Sequence, residues 1–389
     1  MKITNLKALL SSFVILTFFS GISLNSLAQE NHKDHADHQE HHEDEHSEES
    51  AFDAGKMIMH HISDAHEIHI IGDLAIYLPI ILYTDNGLDV FSSSHFYHNE
   101  QHGHYTNSTG ADEAYHYYTY EEYVMFHEHI YYSGEEEVIT IDPETGSATN
   151  KAVFDLSITK SVAGVLLTCF LLILMFTSVA KSYKKRKGQA PKGMQSFLEP
   201  LILFIRDEVA IPSMGSAAKA ERFMPFLLTT FFFIWIANML GLIPFIGGFN
   251  VTGTLSVTIV LASLVFIITT ISGNRHYWGH IFWPAGVPLP IKFILVPIEI
   301  ASIFIKPVVL MVRLTANITA GHIIILAFVS LVLIFGEQSA VAGYGVGVGS
   351  TLFMIFMFFI ELLVAFLQAY VFTLLAALYF GEAKQDGHH

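Results

Sequence analysis

The sequence predicts an all-α membrane protein: five transmembrane helices plus an interfacial amphipathic helix, the last two long helices paired as a hairpin, preceded by a small strand-containing extracytoplasmic domain. Three observations predict it. Five stretches are apolar over the roughly 20 residues that a helix needs to cross the hydrocarbon core. Hydrophobic residues make up 52% of the 389 and charged residues only 14%, against about 25% charged in soluble domains. The net charge of −16 is unevenly placed, most acids preceding residue 157, which separates a solvated part from a membrane part.

The N-terminus opens with Lys2 and Lys7, continues through LLSSFVILTFFSGISL and reaches Ser26-Leu27-Ala28. A basic start, an apolar middle and a small-x-small end predict a cleaved signal peptide over 1–28. A retained first helix is the alternative, and under either reading Gln29 onward lies outside the cytoplasm. Residues 29–50 (QENHKDHADHQEHHEDEHSEES) are low-complexity His and acid, too polar to bury a core, and are expected to be disordered. Residues 51–157 contain IHIIGDLAIYLPIILYT and EEEVITIDPETGSATNKAVFDLSIT. Their β-branched residues and turn signals predict a folded extracytoplasmic domain with strands; tyrosines crowd 105–132. The membrane domain is expected over 158–381 and a cytoplasmic tail over 382–389. The single cysteine, Cys169, sits in an apolar run; it excludes an internal disulfide and a thiolate metal cluster.

The apolar spans are 160–180, 223–245, 251–272, about 290–335 and 349–380. Residues 194–211 are shorter and carry Arg206, Asp207 and Glu208, so they are expected to lie along the interface. Connection 181–222 holds nine Lys and Arg, connection 273–292 holds Arg275 and Lys292, and the tail holds Lys384, whereas 246–250 and 336–348 hold none. This alternation predicts an N-terminus outside and a C-terminus inside, in agreement with the signal peptide.

The fourth span carries Lys292, Glu299, Lys306, Arg313 and His322. A charge at helix centre costs at least about 2.5–3.5 kcal/mol on insertion scales, so these groups need partners or water. Ion pairs that merely tie a bundle together are one reading; an ion path is the other and the preferred one. Glu299, Lys306 and Arg313 are seven apart and return to nearly one face, with Asn317 four beyond and Ala316 and Ala320 beside them. His322, nine after Arg313, faces another neighbour. Pro297 and Pro307 predict kinks. In the last span Glu361, Gln368 and Tyr379 share a face. If the two spans form an antiparallel hairpin joined by the Gly-rich 343–349 loop, His322 is a partner for Glu361, and imidazole titrates near neutral pH. Arg313 cannot relay protons, because guanidinium stays charged. It attracts a passing carboxylate, favours its ionised form and blocks a direct leak.

These residues carry a resemblance. KPVVLMVRLTANITAGHIII resembles the signature of F-type ATP synthase subunit a, ELLVAFLQAYVFTLLAALYF resembles that family's last helix, and ANMLGLIP, with Asn238, an earlier helix end. The resemblance covers about 160–380. It implies a bacterial inner-membrane stator subunit, not catalytic on its own, that passes protons to and from a c ring, with the b stalk and the rest of the ATP synthase as partners. It further implies two half-channels, one open to the outside and lined by Asn238, Asn317, His322, Glu361 and Gln368, the other open to the cytoplasm and lined by Glu299, with Arg313 between them. Lys306 matches a basic position of the family and pairs either with a carboxylate or with a lipid head group; Tyr379 has no assigned role. Many relatives have Glu where His322 stands and His where Glu361 stands; the exchange keeps one acid and one imidazole. The family core needs no N-terminal domain of this size.

Seventeen of the 22 histidines lie between 32 and 129. His60, His61, His66 and His69 are close together in sequence, and imidazole clusters bind zinc, copper or nickel. A flexible polar tail and buffering surface is the plainer account, and no cofactor is otherwise expected. The His-rich head motivates a rival function, a metal-ion transporter with a sensing domain, but the spans hold no paired His/Asp motif and no internal repeat. No G-x-x-x-x-G-K-[ST] loop is present, so nucleotide binds elsewhere. Lipid is an expected partner and nucleic acid is not.

Overall fold

The computed structural model describes residues 55, 58, 63–71, 74–106, 110, 112–133, 139–243, 249–284 and 286–385. The expected signal peptide and the His/acid segment 29–50 lie outside the described residues. The chain divides into two compact units, and their described parts fall within 55–163 and 164–385.

In the first unit, alternating apolar residues build three antiparallel sheets. Strands β1 (Glu67–Ile71) and β2 (Leu74–Tyr77) form a ribbon, β3 (Pro79–Thr84) lies between β4 (Gly87–Ser92) and β9 (Phe154–Asp155), and β5 (Glu100–Thr106), β6 (Asp112–Tyr120), β7 (Tyr123–Phe126) and β8 (His129–Tyr132) follow one another in a meander. Period-2 patterning turns Ile80 and Leu82 of β3 inward, where they meet Phe96, Tyr123, Met125, Ile130 and Val153. Phe96 comes from a single helical turn, α1 (Ser94–Tyr97). The tyrosine-rich segment is thus core: Tyr117 and Tyr131 pack with Val124, Phe126 and Ile139 in a second cluster.

The two-residue turn from Phe126 to His129 places His127 (φ 47°) and Glu128 (φ 64°) in left-handed backbone. That geometry suits hairpin twist but normally selects Asn or Gly. The side chain of Glu128 supplies an anchor. Its carboxylate accepts from the His66 N–H (3.2 Å) and from the Tyr97 hydroxyl (3.1 Å). The His66 ring is 1% exposed, with Nδ1 3.3 Å from Glu128 and Nε2 3.5 Å from Asp155; the second is an ion-pair separation without a directed hydrogen bond. Burial alone lowers the affinity of this imidazole for a proton, but its close contacts with the carboxylates of Asp155 and Glu128 outweigh burial and raise its pKa to about 10. Burial likewise opposes ionisation of Glu128 and Asp155, yet their contacts with His66 hold both carboxyls below the usual range. His66 therefore belongs to a buried ion triad. His69 sits in β1 opposite Ala75, and His60 and His61 lie outside the described residues.

The second unit is helical because a chain in hydrocarbon must satisfy its backbone groups internally. Helix α2 (Lys160–Lys185) runs into the basic cluster 184–187. Helix α3 (Met194–Phe204), a π turn (Ile205–Ala210) and α4 (Ile211–Met214) form one amphipathic arm. Its Gln195, Leu198, Ile205, Val209 and Met214 are buried, while Asp207 and Glu208 are exposed. Helix α5 (Ala217–Gly241) starts at Ser216, whose hydroxyl accepts from the Lys219 N–H (3.3 Å), and is buried nearly all round by phenylalanines. Helices α6 (Leu255–Ser272), α7 (Arg275–Phe282), α8 (Leu289–Gln338) and α9 (Ala340–Ala383) follow. Among the described residues, five helices, α2, α5, α6, α8 and α9, are long and apolar enough to cross a membrane.

At about 1.5 Å per residue, the 50 residues of α8 reach about 75 Å, far beyond the roughly 30 Å of hydrocarbon, so this helix must run obliquely. Both Pro297 and Pro307 sit inside it. The expected Gly-rich connector is a correction: 343–349 is helical, and the chain reverses at Ser339 (φ −165°, ψ 146°). Glycine permits this by letting the two backbones touch; a Cβ on Gly343 would lie 2.7 Å from the Cα of Gly336. Phe328 and Phe353 then pack across the hairpin with ring centroids 4.2 Å apart. The buried face of α9 carries Ala365, Ala369, Ala376 and Phe380, small residues that allow close approach, and Phe380 stacks on Phe223 of α5 at 4.8 Å.

Candidate functional site

The polar residues of α8 and α9 collect into two groups. The first surrounds an open cavity of about 310 Å³ lined by Glu299, Ser302 and Lys306 of α8, His276, Tyr277 and His280 of α7, and Glu382 with Gln385 at the end of α9. Lys306 Nζ donates to Glu382 Oε2 at 2.5 Å and lies 5.2 Å from the centre of the Tyr379 ring. A carboxylate is thus one partner of Lys306. Tyr379 holds the aromatic side of the same contact.

The second group lies where α5, α6, α8 and α9 converge. Asn238 is 3% exposed; its Nδ2 donates to the Ala365 carbonyl (3.3 Å) and its Oδ1 accepts from the Thr252 hydroxyl. The amide thus ties α5 to α9 and to the turn before α6. Glu361 is buried on α9 against Gly321, where an added Cβ would collide with its Oε1, and its Oε2 is buried without a hydrogen-bond partner. His322, the next residue, points its Nε2 toward Gly241 of α5, 3.7 Å from where a Cβ there would stand. Gln368, two turns along from Glu361, is also buried. An orphaned buried acceptor costs on the order of 1–3 kcal/mol, more when charged, so Glu361 is not explained by packing. Replacing Gly321 by alanine is expected to push this carboxylate aside.

Arg313 stands between the groups, about 21 Å along α8 from Glu299 and about 14 Å from His322 at helical rise. Both Arg313 and Asn317 are exposed, whereas Leu310 and Leu314 are buried (2% and 1% exposed). Among the described residues no carboxylate pairs with Arg313, which lies within electrostatic range of the Tyr379 hydroxyl. The seven-residue stripe is not one flat face: Glu299 and Lys306 are half-buried and Arg313 is outside. Seven residues turn a helix about 20° short of a full repeat, so the stripe winds from the cavity out to the open surface. Of the five long helices, α8 is the least covered and α5 the most. The permanent cation thus sits on the barest span.

A family model described as ATP synthase A chain matches residues 162–381. The chain belongs to the ATP synthase A chain family. Similar curated proteins include ATP synthase subunit a 2 of Chlorobaculum tepidum, 43% identical over 250 residues that make up 61% of this chain and 67% of that one. ATP synthase subunit a of Chloroherpeton thalassium is 41% identical over 240 residues, 61% of this chain and 69% of that one. ATP synthase subunit a of Myxococcus xanthus is 39% identical over 241 residues, 60% and 75% of the two chains. The family match takes in Arg313, the second group and the α7 and α8 residues of the first, and ends one residue before Glu382. A second family model, described as Domain of unknown function (DUF8433), matches residues 57–156.

Sequence reasoning missed Glu382, His276, His280 and Thr252. Glu382 lies three heptads beyond Glu361, about 60° round the helix from it. The others are set by tertiary packing.

Proposed function

We propose that this chain conducts protons through the membrane sector of an ATP synthase, alongside a c ring and the b stalk, and is not catalytic on its own. The observation that carries the reading is an exposed guanidinium, on the barest span, between two separate polar groups. A fixed cation cannot face hydrocarbon without a costly partner mismatch; a rotor carboxylate passing at that level satisfies it. In this reading the convergence of Asn238, His322, Glu361 and Gln368, with Asn317 beside it, is a half-channel opening outside. The Glu299–Lys306–Glu382 cavity is the half-channel opening to the cytoplasm, with the N-terminus outside and the tail inside. A proton enters through one, rides the ring past Arg313, and leaves through the other; each charge moved contributes about 2.3 kcal/mol per 100 mV. Glu361 and His322 hold and hand on protons, Asn238 and Gln368 orient them, and Arg313 forces the ring carboxylate to ionise before it passes.

The membrane sidedness of the two groups tests this. In a Cys169→Ser background, Glu299→Cys and Ser302→Cys are expected to react with an impermeant thiol reagent in inverted vesicles only, and Gln368→Cys and Asn317→Cys in right-side-out spheroplasts only. Labelling of all four from one side would overturn the two-channel reading.

A further inference from the structure

Among the described residues one histidine-containing cluster has metal-ligand geometry, and it belongs to the strand unit. Strands β5 and β6 pair antiparallel with His102 directly opposite His116, and Glu100 is two residues before His102 on the same face. The His102 and His116 rings are 4.6 Å apart between centroids, and His116 Nδ1 is 3.3 Å from Glu100 Oε1. One donor atom from each of the three residues lies within 4.8 Å of the others, and all three side chains are exposed. Zinc–nitrogen bonds are about 2.0–2.1 Å in a tetrahedral shell, so two donors on one ion stand about 3.4 Å apart. Closing this set therefore needs about 1.5 Å at most between any two donor atoms, shared by two exposed side chains.

The frame beneath it is firm. On the opposite face of β6, Tyr117 is buried with Tyr115 packed against the same cluster. The Tyr115 ring lies across Gly103, its partner in the ladder, so closely that a Cβ there would collide. An aromatic ring over a strand glycine pins the register, and the register is what places His102 opposite His116. Sites on strands hold geometry better than sites on loops.

We propose that Glu100, His102 and His116 form a binding site for a late first-row divalent metal ion, Zn²⁺ or Cu²⁺. Two imidazoles and one carboxylate suit these ions rather than Mg²⁺ or Ca²⁺, which take oxygen ligands. Three protein donors leave a position for water, the arrangement of an exchangeable site. Because the imidazoles must be unprotonated to ligate, acidification releases the metal.

The test uses the full chain in lipid nanodiscs titrated with Zn²⁺, with diethyl pyrocarbonate labelling of each histidine read by peptide mass spectrometry. Labelling of His102 and His116 is expected to fall about tenfold or more, because a metal-bound nitrogen has no free lone pair, while His95 and His98 are unchanged. The double variant His102→Ala, His116→Ala is expected to lose one equivalent of bound Zn²⁺ with an unchanged circular dichroism spectrum, and Glu100→Gln to weaken binding without abolishing it. Unchanged labelling of the pair at saturating Zn²⁺, or an unchanged stoichiometry in the double variant, would overturn the site and leave a cross-strand ion pair only. The wild-type labelling decides the matter by itself if the double variant misfolds.

Discussion

Replacing Arg313 by alanine is expected to abolish ATP-driven proton pumping while ATP hydrolysis by the complex persists. The size of the effect follows from what the guanidinium does. An adjacent arginine lowers a carboxylate pKa by roughly 1–3 units, which is about 1.4–4 kcal/mol in favour of the ionised form. On the proposed function, without it a ring carboxylate passes still protonated, the ring turns without delivering its proton, and the two proposed half-channels lose the fixed charge that keeps them apart. Arg313→Lys is expected to fail as well, because a desolvated ammonium can give up its proton and a guanidinium does not. Quenching of a pH-sensitive dye in inverted vesicles, beside phosphate release, measures both quantities. Normal acidification by the alanine variant would end the proposed role of Arg313.

The second large effect belongs to the strand unit. His66→Ala removes the buried cation between Glu128 and Asp155 and leaves two half-buried carboxylates without it. Breaking a buried pair by removing one member costs about 3–5 kcal/mol, and here it also frees the anchor of the left-handed turn at His127 and Glu128. The pH dependence has a definite sign. The folded pKa of His66, about 10, exceeds its ordinary value of 6.5, so its contribution is complete below about 6.5 and is lost as pH rises toward 10. Glu128 and Asp155 are held below their ordinary 4.5 and 3.8, so their contribution is present above those values and is lost on acidification. The triad thus contributes most between about pH 4.5 and 6.5. Limited proteolysis of the full chain is expected to show a strand unit more resistant at pH 6 than at pH 10, and a variant that is cleaved readily at both. Matching pH profiles for the two proteins would contradict the triad.

What was legible in the sequence followed from constraints that leave little choice. A bilayer admits only satisfied backbone, so the five apolar spans could be read as helices from length alone, and a permanent cation among Val, Leu and Met drew notice to Arg313. The amphipathic arm was legible because Arg206, Asp207 and Glu208 interrupt an apolar stretch too short to cross. Less came through where packing decides. Glycines at 343–349 read as a loop, yet the segment is helical, with Gly343 close against Gly336, and the reversal falls on Ser339, which no local signal marks. The face of Glu299, Lys306 and Arg313 read as one stripe because a heptad nearly closes; its 20° lag, small over one repeat, accumulates and separates a lined cavity from an open surface. Strands β5 and β6 escaped notice because their alternating positions are His and Tyr rather than Val and Ile. His66, counted among possible metal ligands, is held by two carboxylates distant in sequence.

The central claim is that the Arg313 face meets the rotor, and disulfide trapping tests it most directly. In the Cys169→Ser background, single cysteines at Val309, Ala316 and Ala320, all exposed and within about 60° of Arg313 around the helix, are paired with a cysteine one turn from the carboxylate of subunit c. All three are expected to cross-link on oxidation, and cysteines at the buried Leu310 and Leu314 are not. Cross-links at 310 and 314, with none at 309, 316 and 320, would mean that the guanidinium faces away from the ring.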